Sequence, residues 1–179
     1  MADQLATDVR EMLVRPIALG HERRDCPGVA SVDTRDGMSR DTDFVFTFTH
    51  EVPVTEALEA LGAYGWVPDD MGRIRFLVDP EDGDWQTRAL EEYPAVIAEL
   101  ERGTAAGYTC TIMLTWKDTR TGGNFFFYPS GGRMMLAPIL NTRARPDHPR
   151  FLDLEWYLSR LLGPLEQIGL SGVETSDLA

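Results

Sequence analysis

The sequence predicts an α+β fold in which helices pack on a mainly antiparallel sheet. Three observations carry this expectation. The stretches "DFVFTFTH" from Asp43 and "YTCTIMLTW" from Tyr108 alternate between apolar and polar residues, the period of half-buried strands. Turn-forming "KDTRTGG" and "SGG" then separate the second stretch from "NFFFYP" and "RMMLAPI", which predicts a C-terminal three-strand antiparallel meander. Elsewhere apolar residues recur three and four apart, the helical period.

Taken in order, Asp3 to Val14 reads as a helix with Leu5, Val9, Met12 and Leu13 on one face, ended by Pro16. Residues 20–42 are polar and rich in Gly, Asp and Arg, so they read as a long loop with at most a short strand at Val29 to Val32. The first clear strand faces Phe44, Phe46 and Phe48 inward. In "PVTEALEALGAYG" Thr55 is the expected N-cap, Leu58 and Leu61 share a face, and Gly62 or Gly65 is the stop. "RIRFLVD" alternates again, with Ile74, Phe76 and Val78 inward. A helix over "TRALEEYPAVIAELERG" is expected from Leu90, Tyr93, Ile97 and Leu100, with Pro94 breaking it, kinking it or starting a new one. In the strand from Tyr108, Cys110 shares the phase of Ile112 and Leu114 and reads as a small buried hydrophobe. The last helix, "FLDLEWYLSRLLGPLEQIG", carries Leu154, Leu158, Leu161, Leu165 and Ile168 as a stripe, with Asp153 as cap and a bend at Gly163-Pro164. At 179 residues these elements form one expected domain, an N-terminal helix and loop through residue 42 followed by the core over 43–179.

Composition narrows the chemistry. A net charge of -12 disfavours nucleic acid and anionic membranes, both of which need clustered Lys and Arg. No apolar run approaches the ~18 residues of a bilayer span. The N-terminus carries acids where a signal peptide has bases, so a cytoplasmic location is expected. Of 17 basic residues only Lys117 is lysine, a bias that fits a GC-rich bacterial genome. His21 and Cys26 are too few for a zinc site, and neither metal nor cofactor is expected. None of the common phosphate-loop, zinc-protease, dinucleotide or serine-hydrolase motifs occurs. The glycine pairs sit between strands, where hairpin turns explain them. His50 and Glu51, at the end of the first strand, form the alternative site, either a general base with an acid such as Asp43 or a hydrogen-bonded strand end.

Charge is segregated along the chain. From Asp69 to Glu101 ten acids face three arginines, whereas from Lys117 to Arg150 six bases face two acids. "DPEDGD" lacks the full calcium-loop pattern and reads as a solvated acidic turn. Asp79, Glu81, Asp82, Asp84, Glu91 and Glu92 are therefore candidate contacts for a basic protein partner. Trp156 lies at the edge of the last helix's leucine stripe, either stacked on the sheet or exposed as an anchor, while Tyr157 faces the core.

The last third of the chain, "GGNFFFYPSGGRMML" followed by "DLEWYLSRLLGPLEQIG" with Asp153, Trp156 and Tyr157, resembles the C-terminal half of small acidic immunity proteins of bacterial polymorphic or contact-dependent toxin systems. That resemblance implies a non-catalytic cytosolic protein that binds and blocks one basic toxin domain. The alternatives are a small enzyme or ligand-binding domain near His50 and Glu51, or a regulatory subunit of a bacterial assembly.

Overall fold

A computed structural model describes residues 41–78 and 84–178. The helix expected over Asp3–Val14, the strand at Val29–Val32, His21, Cys26 and most of the acidic turn "DPEDGD" lie outside these residues. All described residues fall in one compact unit, Met38–Ala179.

The fold is α+β. In chain order its elements are β1 (Asp41–Phe48), α1 (Val54–Tyr64), β2 (Trp66–Val67), β3 (Arg73–Leu77), β4 (Gln86–Ala89), a 3-10 turn (Leu90–Glu92), α2 (Tyr93–Ala105), β5 (Cys110–Trp116), β6 (Gly122–Phe127), β7 (Arg133–Leu140), α3 (Leu154–Gln167) and β8 (Leu170–Leu178). The antiparallel sheet runs β4-β3-β5-β6-β7-β1-β8, with β2 also paired to β5. The expected meander is β5-β6-β7.

Period-two patterning does most of the work. Phe44 and Phe46 on β1, Ile74 and Phe76 on β3, Ile112 and Leu114 on β5, and Phe125 on β6 are all at most 1% exposed. They join Leu58 and Leu61 of α1, Val96 and Leu100 of α2, and Tyr157, Leu161 and Leu165 of α3 in one cluster. Each helix thus buries one apolar stripe on the sheet. Cys110 belongs to the same cluster, and its thiol faces the Val78 carbonyl at 3.3 Å. β5 is buried on its other phase too, at Thr111, Met113 and Thr115.

Several local expectations change. Thr55 does not cap α1. The helix begins at Val54 behind Pro53, whose ring presets φ near the observed -59°, and the Thr55 N–H donates instead to Glu101 Oε1 of α2 at 2.7 Å. A carboxylate from a neighbouring helix replaces the local cap. Gly65, at φ 116°, is the stop. The single helix expected from residue 87 divides: β4 pairs with β3, one 3-10 turn follows, and Pro94 sits in the first turn of α2. Leu90 is consequently 39% exposed. Gly122 and Gly123 lie within β6, at the register shift against β7 that brings Gly123 opposite Pro138. Pro138 has no N–H for a regular ladder, and a Cβ on Gly123 would stand 2.0 Å from the Ala137 carbonyl oxygen. The strand needs glycine there.

Asp153 caps α3 as expected, accepting from the Trp156 N–H at 3.1 Å. Pro164 lies inside α3, which continues through it to Gln167. Lacking an N–H, Pro164 leaves the Arg160 carbonyl without its intrahelical donor. The Trp66 indole supplies one, donating Nε1–H to that oxygen at 3.2 Å. β8 completes the sheet beyond β1.

Two helix glycines test this packing with opposite signs. A Cβ on Gly103 would meet Cys110 Sγ at 2.5 Å and Val78 Cγ1 at 2.6 Å, whereas one on Gly62 meets nothing within 4 Å. Gly103→Ala should destabilise by about 1–3 kcal/mol through overpacking, and Gly62→Ala should stabilise by up to about 1 kcal/mol. Urea unfolding midpoints measure both.

Candidate functional site

The acids gather on the two adjacent helices α1 and α2. Because Ala57, Leu58 and Leu61 turn α1 inward, Glu56 and Glu59 project from its opposite face and are exposed. The 3-10 turn holds Glu91 and Glu92 in solvent at the start of α2, and Glu99 and Glu101 lie half-buried along it. Against these six carboxylates stand two bases. Arg88 reaches Glu92 and Glu99, each at 3.7 Å, and Arg102 turns back to the Ala98 carbonyl at 3.2 Å. Between the helices runs an open groove lined by Thr55 and Glu59 of α1 and by Pro94, Ile97, Ala98, Glu101 and Arg102 of α2. Burial, and then the charge of Glu59, push the Tyr93 phenol beside it up to about 12.

Of the acids singled out in the sequence, Glu91 and Glu92 therefore join this surface. Asp84 is exposed ahead of β4, and Asp79, Glu81 and Asp82 lie outside the described residues. Sequence reasoning missed Glu56 and Glu59. Their signal was the three-residue spacing that sets both opposite the apolar stripe of α1.

His50 and Glu51 diverge. The Thr49 N–H donates to the Gly169 carbonyl at 2.9 Å, and His50 Nδ1 lies 3.1 Å from Thr49 Oγ1, so the imidazole sits against the turn between α3 and β8. Glu51 instead lines a cleft of about 320 Å³ at the other side of that loop. The cleft is built by backbone bonds: Phe48 N–H to Gly132 O and Val52 N–H to Gly131 O, both 3.0 Å, lock the β1–α1 loop onto the β6–β7 turn. Gly131 has φ 63° and passes so close to Val52 that a Cβ would lie 2.7 Å from its carbonyl oxygen.

Trp156 is buried, at 7% exposure, and so offers no free anchor to a partner. It packs edge-on against Trp66 and Trp116, each at 6.3 Å, and Tyr157 meets Phe44 at 5.4 Å. The guanidiniums of Arg160 and Arg143 lie over the Trp156 ring at 4.3 and 5.5 Å. Trp156 Nε1 and the Tyr157 hydroxyl are buried without hydrogen-bond partners. Burial pushes the Tyr157 phenol up to about 12, with Arg143 opposing the rise.

Among the described residues no three His, Cys, Asp or Glu side chains converge as metal ligands, and no helix is long and apolar enough to cross a membrane. No protein-family model, curated protein or solved structure matches the chain.

Both raised phenols favour the protonated form in the fold, so their contribution to stability is intact below about pH 10 and is lost as pH rises toward 12. Difference absorbance between the native protein and its Tyr93→Phe and Tyr157→Phe variants should show a phenol ionising near pH 12 in each case. Either phenol ionising near pH 10 in the folded protein contradicts the burial described. Tyr157→Phe, which removes an unpartnered buried hydroxyl, should leave neutral-pH stability unchanged or raised.

Proposed function

We propose that this chain is a non-catalytic binding module that engages a basic protein partner through the acidic face of α1 and α2. The observation that carries the reading is a groove flanked by carboxylates from two helices, Glu59 on one and Glu101 on the other, against one lining base, Arg102, with Glu56, Glu91 and Glu92 exposed on the same helices and the turn before α2. Carboxylates attract a cationic surface over a range limited by a Debye length of about 8 Å at physiological salt. Groove residues such as Ile97 and Pro94 then supply the apolar contact that outlasts encounter. The resemblance of the C-terminal third supports a specific partner class, a toxin domain neutralised in the bacterial cytosol. The divergence of His50 from Glu51 favours this reading over catalysis at that pair.

The test uses the toxin domain whose growth inhibition the chain relieves on co-expression. Its association rate, followed by stopped-flow, should fall as salt rises. It should fall several-fold in the quadruple variant Glu56→Gln, Glu59→Gln, Glu91→Gln, Glu92→Gln, whose exposed positions should shift stability by about 0.5 kcal/mol or less each. A rate indifferent to both rules out this face. His50→Gln should retain full protection in the growth assay, and a folded His50→Gln protein that loses protection returns His50 to the site.

A further inference from the structure

The cleft beside Glu51 has the features of a small-molecule site and not of an acidic docking surface. Its floor is apolar, formed by Phe48, Phe127 and Met134, each at most 8% exposed. Its volume of about 320 Å³ falls at the lower end of the range, about 300–1,000 Å³, usual for small-ligand pockets. Three ionic groups line it: Glu51, Glu101 and Arg133. Glu101 is already engaged, its Oε1 accepting from the Thr55 N–H at 2.7 Å. That bond fixes the Glu101 side chain without removing its charge, so the lining carries two acids, Glu51 and Glu101, and one base, Arg133, with Glu51 the exposed acid. Arg133 stacks on Tyr128 at 5.3 Å, and neither it nor Glu51 forms an ion pair among the described residues. Two opposite charges are thus held on one cleft, unpaired, around an apolar floor.

We infer that this cleft binds a small zwitterion of the amino-acid type with an apolar side chain. Its ammonium group meets the Glu51 carboxylate, its carboxylate meets the Arg133 guanidinium, and its side chain covers Phe48, Phe127 and Met134. A purely anionic ligand is opposed by Glu51 and Glu101, and a purely cationic one leaves Arg133 without a counter-charge, so the molecule carrying both charges satisfies the lining best. The cleft rests on the interlocked loops at Val52 and Gly131, which hold its walls before any ligand arrives. The site is separate from the α1–α2 groove except for Glu101, and its occupancy does not depend on the protein-binding reading.

The experiment is a titration of the full chain, followed by backbone amide NMR and calorimetry, with L-leucine, 3-methylbutylamine and 4-methylpentanoate. Leucine is expected to give saturable shifts at Val52, Tyr128 and Gly131. Each singly charged analogue is expected to bind about tenfold or more weakly than leucine, the scale of one lost charge-assisted hydrogen bond. Glu51→Gln and Arg133→Gln should each remove about that much leucine affinity while leaving the unfolding midpoint unchanged, since both positions are exposed. Affinity for 3-methylbutylamine equal to that for leucine and unaffected by Arg133→Gln would mean the cleft receives a basic side chain, and overturns the proposal. So does the absence of saturable shifts at these amides for leucine.

Discussion

The packing of one row of aromatic residues against three helices is the constraint from which the other features follow. Phe44, Phe46, Phe76 and Phe125 all face the same side of the sheet and are fully buried. A slip of one residue in any of their strands would turn a phenyl ring into water and a polar residue into the core. The register is therefore pinned, and the points of closest approach inherit strict size limits. Gly103 brings α2 onto Cys110, and Gly163 lets α3 pass Tyr64, whose ring would lie 2.9 Å from an added Cβ. Pro164 is compatible with α3 because the same packing delivers the Trp66 indole to the carbonyl that proline leaves vacant.

Elements with a strong internal period are legible in the amino-acid sequence itself. β1, β3, β5 and α3 each combine regular alternation or a leucine stripe with clear boundaries, and Asp153 caps where its position suggests. The elements missed lack such a signal. β2 has two residues, and β4, "QTRA", has no apolar alternation of its own and exists because β3 offers it an edge. β8, "LSGVETSDL", is polar along most of its length because it lies at the sheet margin, paired on one side to β1. The N-cap at Thr55 failed for a different reason. A cap donated by Glu101, 46 residues away, is a tertiary contact that no local motif encodes.

The same distinction separates what is readable in the site. Segregated charge is visible in the sequence, but which acids share a surface depends on how α1 lies beside α2, and that adds Glu56 and Glu59 to Glu91 and Glu92. Adjacent residues can also part company. His50 and Glu51 are neighbours in sequence, yet a loop anchored on one side to Gly169 and on the other to Gly131 and Gly132 sends one toward β8 and the other into a cleft.

Where the cations go explains why the acidic face stays acidic. Arg143 and Arg160 lie over Trp156, Arg75 over Trp85, and Arg133 over Tyr128. A guanidinium is planar and weakly hydrated, so it spreads on an aromatic ring more readily than an ammonium does, which suits a chain with 16 arginines among its 17 basic residues. Arg133 shares its cleft with Glu101 of α2, and no ion pair joins any of these four arginines to a glutamate of α1 or α2 among the described residues. Only Arg88 bridges that group among the described residues, at 3.7 Å from both Glu92 and Glu99, and these partly exposed contacts neutralise it weakly. Six glutamates against Arg88 and Arg102 leave these two helices and the turn before α2 acidic, and Arg102, which lines the groove with Glu59 and Glu101, is the base that a cationic partner meets there.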